Sequence, residues 1–259
     1  YYAAGRPGPK NWYSGYLGNV TVEKALEKSI NTIPCKLVKQ MGVEATYYYP
    51  TSNLGLTSLD DTEDMNLSAL GLGGTTTGIS TTQSAAAFAV FGNLGHYYAP
   101  TTFTYMTDQH GNTVLKQKDD IQAIDENTAC IMNHLLQNVV YGSEGTGKAA
   151  AAFSDKLRAY AKTGTSSDVN DCWFAGGSPY YVASCWFGFP TNEAVHNSTL
   201  AKTMWTNVMK EIHKNLEAKD FLESEFVTKR MYCASTGQLA TDACPYPMEG
   251  YYKTNYSLP

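Results

Sequence analysis

The chain has 259 residues, enough for one large domain or two small ones. Its content of 43% hydrophobic and 17% charged residues fits a globular protein with a substantial core, and a net charge of −5 argues against a nucleic-acid partner. No run of about 18 apolar residues occurs, so no segment reads as membrane-spanning. The sequence starts at "YYAAGRPGPK" without an initiator Met, which leads us to expect a processed piece from which a targeting segment has been removed.

The first helix signal is "GNVTVEKALEKS". Thr21 can cap it, Glu23 suits its first turn, and Val22, Leu26 and Ile30 recur at helical spacing. Pro34 fits the first turn of a second helix, "IPCKLVKQMG", which ends at Gly42. Ser29-Ile30-Asn31 therefore falls at a junction between two helices. Residues 46–70 read as turn-rich and polar, with Tyr47, Tyr48 and Tyr49 as possible groove residues. "LGLGGTTTGIS" reads as a flexible connection into an apolar helix, "TTQSAAAFAVFGNLG", capped by Thr81 or Thr82. "APTTFTYMTDQHGNTVLKQ" reads as two strands about an Asp-Gln-His-Gly turn, and "DENTACIMNHLLQNVV" as a helix. After residue 156 the period changes. "RAYAKTGTS", "DCWFAGGSP" and "YYVASCWFGFP" read as an antiparallel three-stranded meander. "NSTLAKTMWTNVMKEIHKN" is an amphipathic helix expected to lie on that sheet. Residues 220–259 read as irregular. Ser154, Ser166, Ser167 and Asp168 read as turn residues, and Trp173 and Trp186 as packing.

Two lysines stand beside glycines and threonines. Lys148, in "GSEGTGKA", approaches the phosphate-binding pattern G-x-x-x-x-G-K-[ST], but Ala149 replaces the Mg²⁺-binding hydroxyl and a helix, not a buried strand, precedes the loop. A glycine-rich connection between helices is the better reading. Lys162, in "KTGTS", lies on a strand. Thr163 and Thr165 project from one face of it, and Gly164 between them lets another group approach the backbone closely. A substrate strand could pair there and place its carboxylate at the lysine and the hydroxyls. Of the six cysteines, Cys233 and Cys244 enclose a short loop and are expected to bridge. Cys172 and Cys185 flank a turn at Gly177-Ser178-Pro179, and a bridge or two buried thiols stand equally open. No C-x-x-C occurs and the five histidines are scattered, so no metal site is expected.

"SIN" at 29–31 followed far downstream by "KTGT" at 162–165 resembles the transpeptidase domain of penicillin-binding proteins, serine acyltransferases related to serine β-lactamases, whose three motifs are S-x-x-K, S-x-N and K-T-G. The resemblance extends over nearly the whole chain. "GNVTVEKALEKSINTIPCKLV", "LGLGGTTTGISTTQSAAAFAVFGNLGHYYAP", "VVYGSEGTGKAA" and "AKTGTSSDVNDCWFAGGSPYYVASCWFGF" look like consecutive parts of that domain. "CASTGQLATDACP" resembles the tail of class A, bifunctional members, in which a glycosyltransferase domain precedes the transpeptidase. No S-x-x-K occurs; "TVEK" at 21–24 and "TVLK" at 113–116 have threonine in first position. The family's nucleophile box lies upstream of S-x-N. The resemblance thus implies a piece that starts after the box, is inactive alone and depends on the upstream part of the same protein.

The implied fold is α/β (α+β), an antiparallel sheet covered by helices in the penicillin-binding protein and serine β-lactamase manner, incomplete at its N-terminal end. The partial transpeptidase domain would span 1–220, with 221–259 as an extension packed on it. The implied reaction is D,D-transpeptidation of D-Ala-D-Ala stem peptides through a serine acyl-enzyme, outside the cytoplasmic membrane and without metal or organic cofactor; β-lactams would mimic the dipeptide. The resemblance assigns Ser29, Asn31 and Lys162 to catalysis: proton relay, substrate amide holding, and orientation with positive potential. It assigns Thr163, Gly164 and Thr165 to substrate binding, with the Thr165 N–H as half of an oxyanion hole. The rival readings are a non-catalytic module of the same fold that binds peptidoglycan peptides, and a carboxypeptidase or β-lactamase relative.

Overall fold

A computed structural model of the chain describes residues 8–117 and 120–254. Four helices open the fold: α1 (Val22–Glu27), α2 (Thr32–Met41), α3 (Val43–Asn53) and α4 (Leu67–Leu72). As the sequence predicts, Thr21 caps α1 by accepting from the Lys24 N–H, and α2 ends at Gly42, whose φ of 95° suits glycine. Two expectations fail here. Residues 46–70 are not wholly turn: α3 runs through Tyr47–Tyr49 and carries Pro50 inside it, and α4 occupies part of the supposed flexible connection. Two of the three tyrosines anchor this helix, while Tyr48 is exposed. Tyr47 is buried with its hydroxyl on the Leu59 carbonyl, and Tyr49 donates to the Ala123 carbonyl.

Next comes α5 (Thr81–Ala89). Its cap is Ser80, not Thr81 or Thr82. Ser80 accepts from the Gln83 N–H while the Gln83 side chain accepts from the Ser80 N–H, so two orphan donors are satisfied reciprocally. Two small antiparallel pairs follow, in which β1 (His96–Tyr97) joins β4 (Ile121–Gln122) and β2 (Tyr105–Thr107) joins β3 (Thr113–Lys116). The predicted hairpin about Asp108–Gly111 is present, while β1 and β4 were not foreseen.

Then α6 (Glu126–Tyr141) and a short 3₁₀ helix (Lys148–Phe153) lead into the meander: β5 (Tyr160–Thr165), β6 (Asp171–Gly177) and β7 (Val182–Gly188), antiparallel in the order β5-β6-β7. On one face of this sheet lies α7 (Leu200–Ile212), as its amphipathic pattern predicts. Trp205 is fully buried there, edge-on to Phe174 and Phe153, with its indole N–H 3.1 Å from the Ala183 carbonyl. Around it pack Val140, Leu157, Ala159, Ala161 and Met209, the main core. On the other face Tyr160, Leu136 and Val139 pack with Phe88 of α5. Residues 220–254 are not irregular throughout, because β8 (Val227–Cys233) and β9 (Pro247–Lys253) form an antiparallel hairpin that touches α6.

All six cysteines are free. Cys172 lies opposite Phe187 and Cys185 opposite Phe174, so the two are diagonal neighbours on adjacent strands, farther apart than a disulfide spans. The expected Cys233–Cys244 bridge is likewise absent; Cys233 Sγ shares a hydrogen bond with Ser235 Oγ at 3.1 Å.

Candidate active site

Ser29 occupies the corner between α1 and α2. The Ser29 N–H bonds to the Leu26 carbonyl and the Ile30 N–H to the Ala25 carbonyl, the paired bonds of a Schellman ending. The residue that turns the chain in such an ending is left-handed and usually glycine. Here it is Ser29, with φ of 53°. A side chain is thus kept where the backbone alone would favour none. Ile30 and Ala25 are both buried, at the two positions whose apolar contact commonly accompanies this cap.

Lys162 reaches this corner from the third position of β5. Its Nζ donates to Ser29 Oγ at 2.7 Å and to the Thr163 carbonyl at 3.0 Å. Two residues 133 apart in sequence therefore meet by direct hydrogen bond. Burial pushes the Lys162 ammonium down from its ordinary 10.5 to about 8. An ammonium with so depressed a value is both a strong donor and a group within reach of neutrality near physiological pH.

The loop between α6 and the 3₁₀ helix braces Ser29. Glu27 Oε1 accepts from the Glu144 N–H at 2.7 Å, and the Glu27 carbonyl from the Thr146 N–H at 3.3 Å. Lys24 pairs with both Glu27 and Glu144, and Lys28 with Glu144; these two cations hold the Glu144 carboxyl down at about 2. The glycines of this loop have a packing reason. A Cβ on Gly142 would stand 2.5 Å from Glu27 Oε1, and one on Gly145 would stand 2.4 Å from the Val139 carbonyl. Lys148 turns back to the Ser143 carbonyl of its own loop. The glycine-rich stretch is a close-packed brace, as its reading as an interhelical connection anticipates.

The remaining site residues are less convergent. Thr163 and Thr165 share the face of β5 opposite Lys162. Thr163 Oγ1 is 2.9 Å from Thr146 Oγ1, while Thr165 is exposed. At Gly164 a Cβ would come within 3.1 Å of Trp173 Cβ, so the space beside this glycine belongs to the neighbouring strand. Asn31 Nδ2 donates to the Lys10 carbonyl at 2.7 Å, and Trp12 donates to the Lys28 carbonyl at 2.8 Å. A segment of the chain itself, residues 10–12, thus lies across the corner. Sequence reasoning missed Glu27, Thr146 and Trp12 as supports of the site. Only the Lys24–Glu27 spacing of three residues hinted at the first. Trp186 donates to Asp171 at the far end of the meander, consistent with packing.

The penicillin-binding protein transpeptidase domain family matches residues 2–187. The chain belongs to this family, and the S-x-N and K-T-G-T motifs just placed lie inside the matched region. Among curated relatives it is 34% identical over 250 residues to penicillin-binding protein 1A of Clostridium tetani, covering 92% of this chain and 31% of that protein. It is 31% identical over 206 residues to penicillin-binding protein 1F of Bacillus subtilis, covering 79% and 28%. The chain therefore spans about a third of the length of these relatives. The fold matches the crystal structure of penicillin-binding protein 1A from Haemophilus influenzae with a TM-score of 0.77 at 19% identity, over 95% of this chain and 42% of that one. It also matches PonA1 of Mycobacterium tuberculosis in complex with penicillin V, with a TM-score of 0.61 at 18% identity over 79% and 59%. The mixed fold of helices on an antiparallel sheet is that of penicillin-binding transpeptidases, as the motifs predict, and the family is one of cell-wall synthesis enzymes.

Proposed function

We propose that this chain carries the proton-relay and substrate-carboxylate half of a peptidoglycan D,D-transpeptidase that works through a serine acyl-enzyme on D-Ala-D-Ala stem peptides. The observation that supports it most is the 2.7 Å hydrogen bond from Lys162 Nζ to Ser29 Oγ, which joins the second and third motifs of the family. In this reading a serine Oγ attacks the penultimate D-Ala carbonyl, the peptide C–N bond breaks, and the terminal D-Ala leaves as its amine. The acyl group then passes to an acceptor amine. With Lys162 donating to its oxygen, Ser29 keeps its own proton for the leaving nitrogen. Asn31 holds the substrate amide; it already holds a peptide carbonyl, that of Lys10. Lys162 adds positive potential, Thr163, Gly164 and Thr165 receive the substrate carboxylate, and the Thr165 N–H is one oxyanion donor. Because no S-x-x-K occurs in the sequence, the attacking serine and its base come in this reading from residues outside it. The remaining parts are membrane anchoring on the extracytoplasmic side, a class A glycosyltransferase partner domain and trapping by β-lactams. Among the described residues no helix is long and apolar enough to cross a membrane.

The test is covalent labelling by a fluorescent penicillin, run on this chain and on a version extended upstream through a serine box. Labelling of the extended protein alone is expected, with S29A and K162A slowing it by about 10²- to 10⁴-fold, the usual worth of a positioned proton-transfer group. If neither protein labels while both are folded, the acyltransferase reading falls and a peptide-binding module of the same fold replaces it.

A further inference from the structure

Away from Ser29 and Lys162, three side chains of different chemistry converge on one point. Cys130 and His134 are four residues apart on α6 and so share a face. Glu223, from the segment between α7 and β8, reaches over that face. Its Oε2 accepts from Cys130 Sγ at 3.2 Å and lies 3.0 Å from His134 Nε2. The sulfur, the imidazole nitrogen and the carboxylate oxygen all lie within 4.8 Å of one another.

We propose that Cys130, His134 and Glu223 form a binding site for a divalent cation of the zinc class. The donor set is one that zinc takes: thiolate, imidazole and carboxylate. At ordinary zinc bond lengths two such donors stand roughly 3.3–3.6 Å apart around a tetrahedron. The two distances to Glu223 need to open by only a few tenths of an ångström. Thiolate and carboxylate together neutralise a dication, and Glu126, one turn before Cys130 on α6, adds further negative potential at the sulfur.

The supports are also in place. Cys130 is buried and the His134 side chain is only 14% exposed, whereas Glu223 is 55% exposed and offers the entry path. The His134 ring is stacked on Tyr251 of β9 with centroids 3.6 Å apart and planes within 5°, which fixes its orientation. Nearby, Ser224 Oγ donates to Asn127 Oδ1 at 2.6 Å, docking the Glu223 segment on the start of α6. Three protein donors leave a fourth position for water. Binding exchanges the Cys130 S–H proton, released to solvent, for a sulfur–metal bond, shifts the His134 proton from Nε2 to Nδ1 so that Nε2 offers its lone pair, and replaces both hydrogen bonds to Glu223. The ion would fasten the 221–226 segment and the β8–β9 hairpin to α6. The C-x-x-x-H spacing on a predicted helix was the available sequence signal; the scattered histidines concealed it because the third donor lies 89 residues further on.

The experiment is a titration of the full chain with Co²⁺, with Cys233 and Cys244 replaced by serine so that this second pair of free thiols cannot bind the ion. A thiolate-to-cobalt absorption band saturating at one ion per chain is expected, displaced by Zn²⁺ and lost in C130S. E223Q alters a half-exposed side chain outside the core and is expected to keep the fold. It is expected to weaken binding by roughly tenfold or more and to reduce the rise in thermal midpoint that Zn²⁺ gives the unsubstituted chain. The proposal is overturned if no thiolate band forms, if the band survives C130S, or if E223Q binds as tightly as the parent.

Discussion

Lys162 is carried by a strand whose neighbours are among the best-buried residues of the protein, with Ala161 and Phe174 fully buried and Trp205 behind them. Ser29 stands at a helix corner whose ties are a left-handed backbone turn, the Glu27 hydrogen bonds and a set of half-exposed ion pairs. One partner of the pair is held by core packing and the other by polar bonds near the surface. Packing against close neighbours is all-or-none, whereas exposed ion pairs contribute little each and are weakened by salt. The site should therefore lose Ser29's position before it loses Lys162's.

The largest effect is expected on the packed side. W205A removes the side chain that bridges β6, β7 and the 3₁₀ helix, and should cost about 3–5 kcal/mol in urea unfolding. A loss under about 1 kcal/mol would show that the sheet does not depend on this core. Lys162 itself comes next. Its folded value of about 8 lies below the ordinary 10.5, so above about pH 8 the unfolded chain binds the proton more tightly and stability rises with pH until about 10.5. Below that window both states are charged and the desolvation cost is constant. Relative to K162M, the wild type should gain up to about 3 kcal/mol between about pH 7 and about pH 11. A difference that stays flat with pH would mean the ammonium is not desolvated.

On the corner side the effects are smaller. E27A strips the Glu144 N–H of its acceptor and is expected to cost about 1–3 kcal/mol. If E27A were silent in thermal unfolding, the loop brace would not be what holds Ser29. S29G should change stability least, by under about 1 kcal/mol. Relief of left-handed strain is offset by the greater freedom of an unfolded glycine and by the lost bond to Lys162. A substantial loss in S29G would mean that the hydroxyl, and not the backbone, secures the corner.

The parts of this molecule that were legible are those where one period dominates. The meander is an example, since β5 to β7 alternate between a face under α7 and a face under α5, and their turns are short. The Ser29 junction was legible because Thr21 and Pro34 punctuate both helices. The Ser29–Lys162 contact came into view only through resemblance, since no spacing links residues so far apart. Elsewhere local signals misled. In α3, Pro50 and three tyrosines suppressed a helix that the Tyr47 anchor stabilises. In β8, buried and exposed residues fall in blocks instead of alternating, so the strand exists by pairing with β9. At α5 the reading offered Thr81 or Thr82, and the cap fell on Ser80 because Gln83 pairs only with a cap three residues before it.

One contact bears on how affinity at the corner would be read. Asn31 already holds the Lys10 carbonyl, so its amide is not vacant. A ligand that needs this amide competes with a tethered rival at high local concentration. Its measured dissociation constant is the intrinsic one divided by the fraction of molecules in which residues 8–12 have moved aside. Weak binding to this chain would then report the occupancy of that internal competitor as much as the quality of the site. Shortening the segment would strengthen binding without adding a single new contact to the ligand.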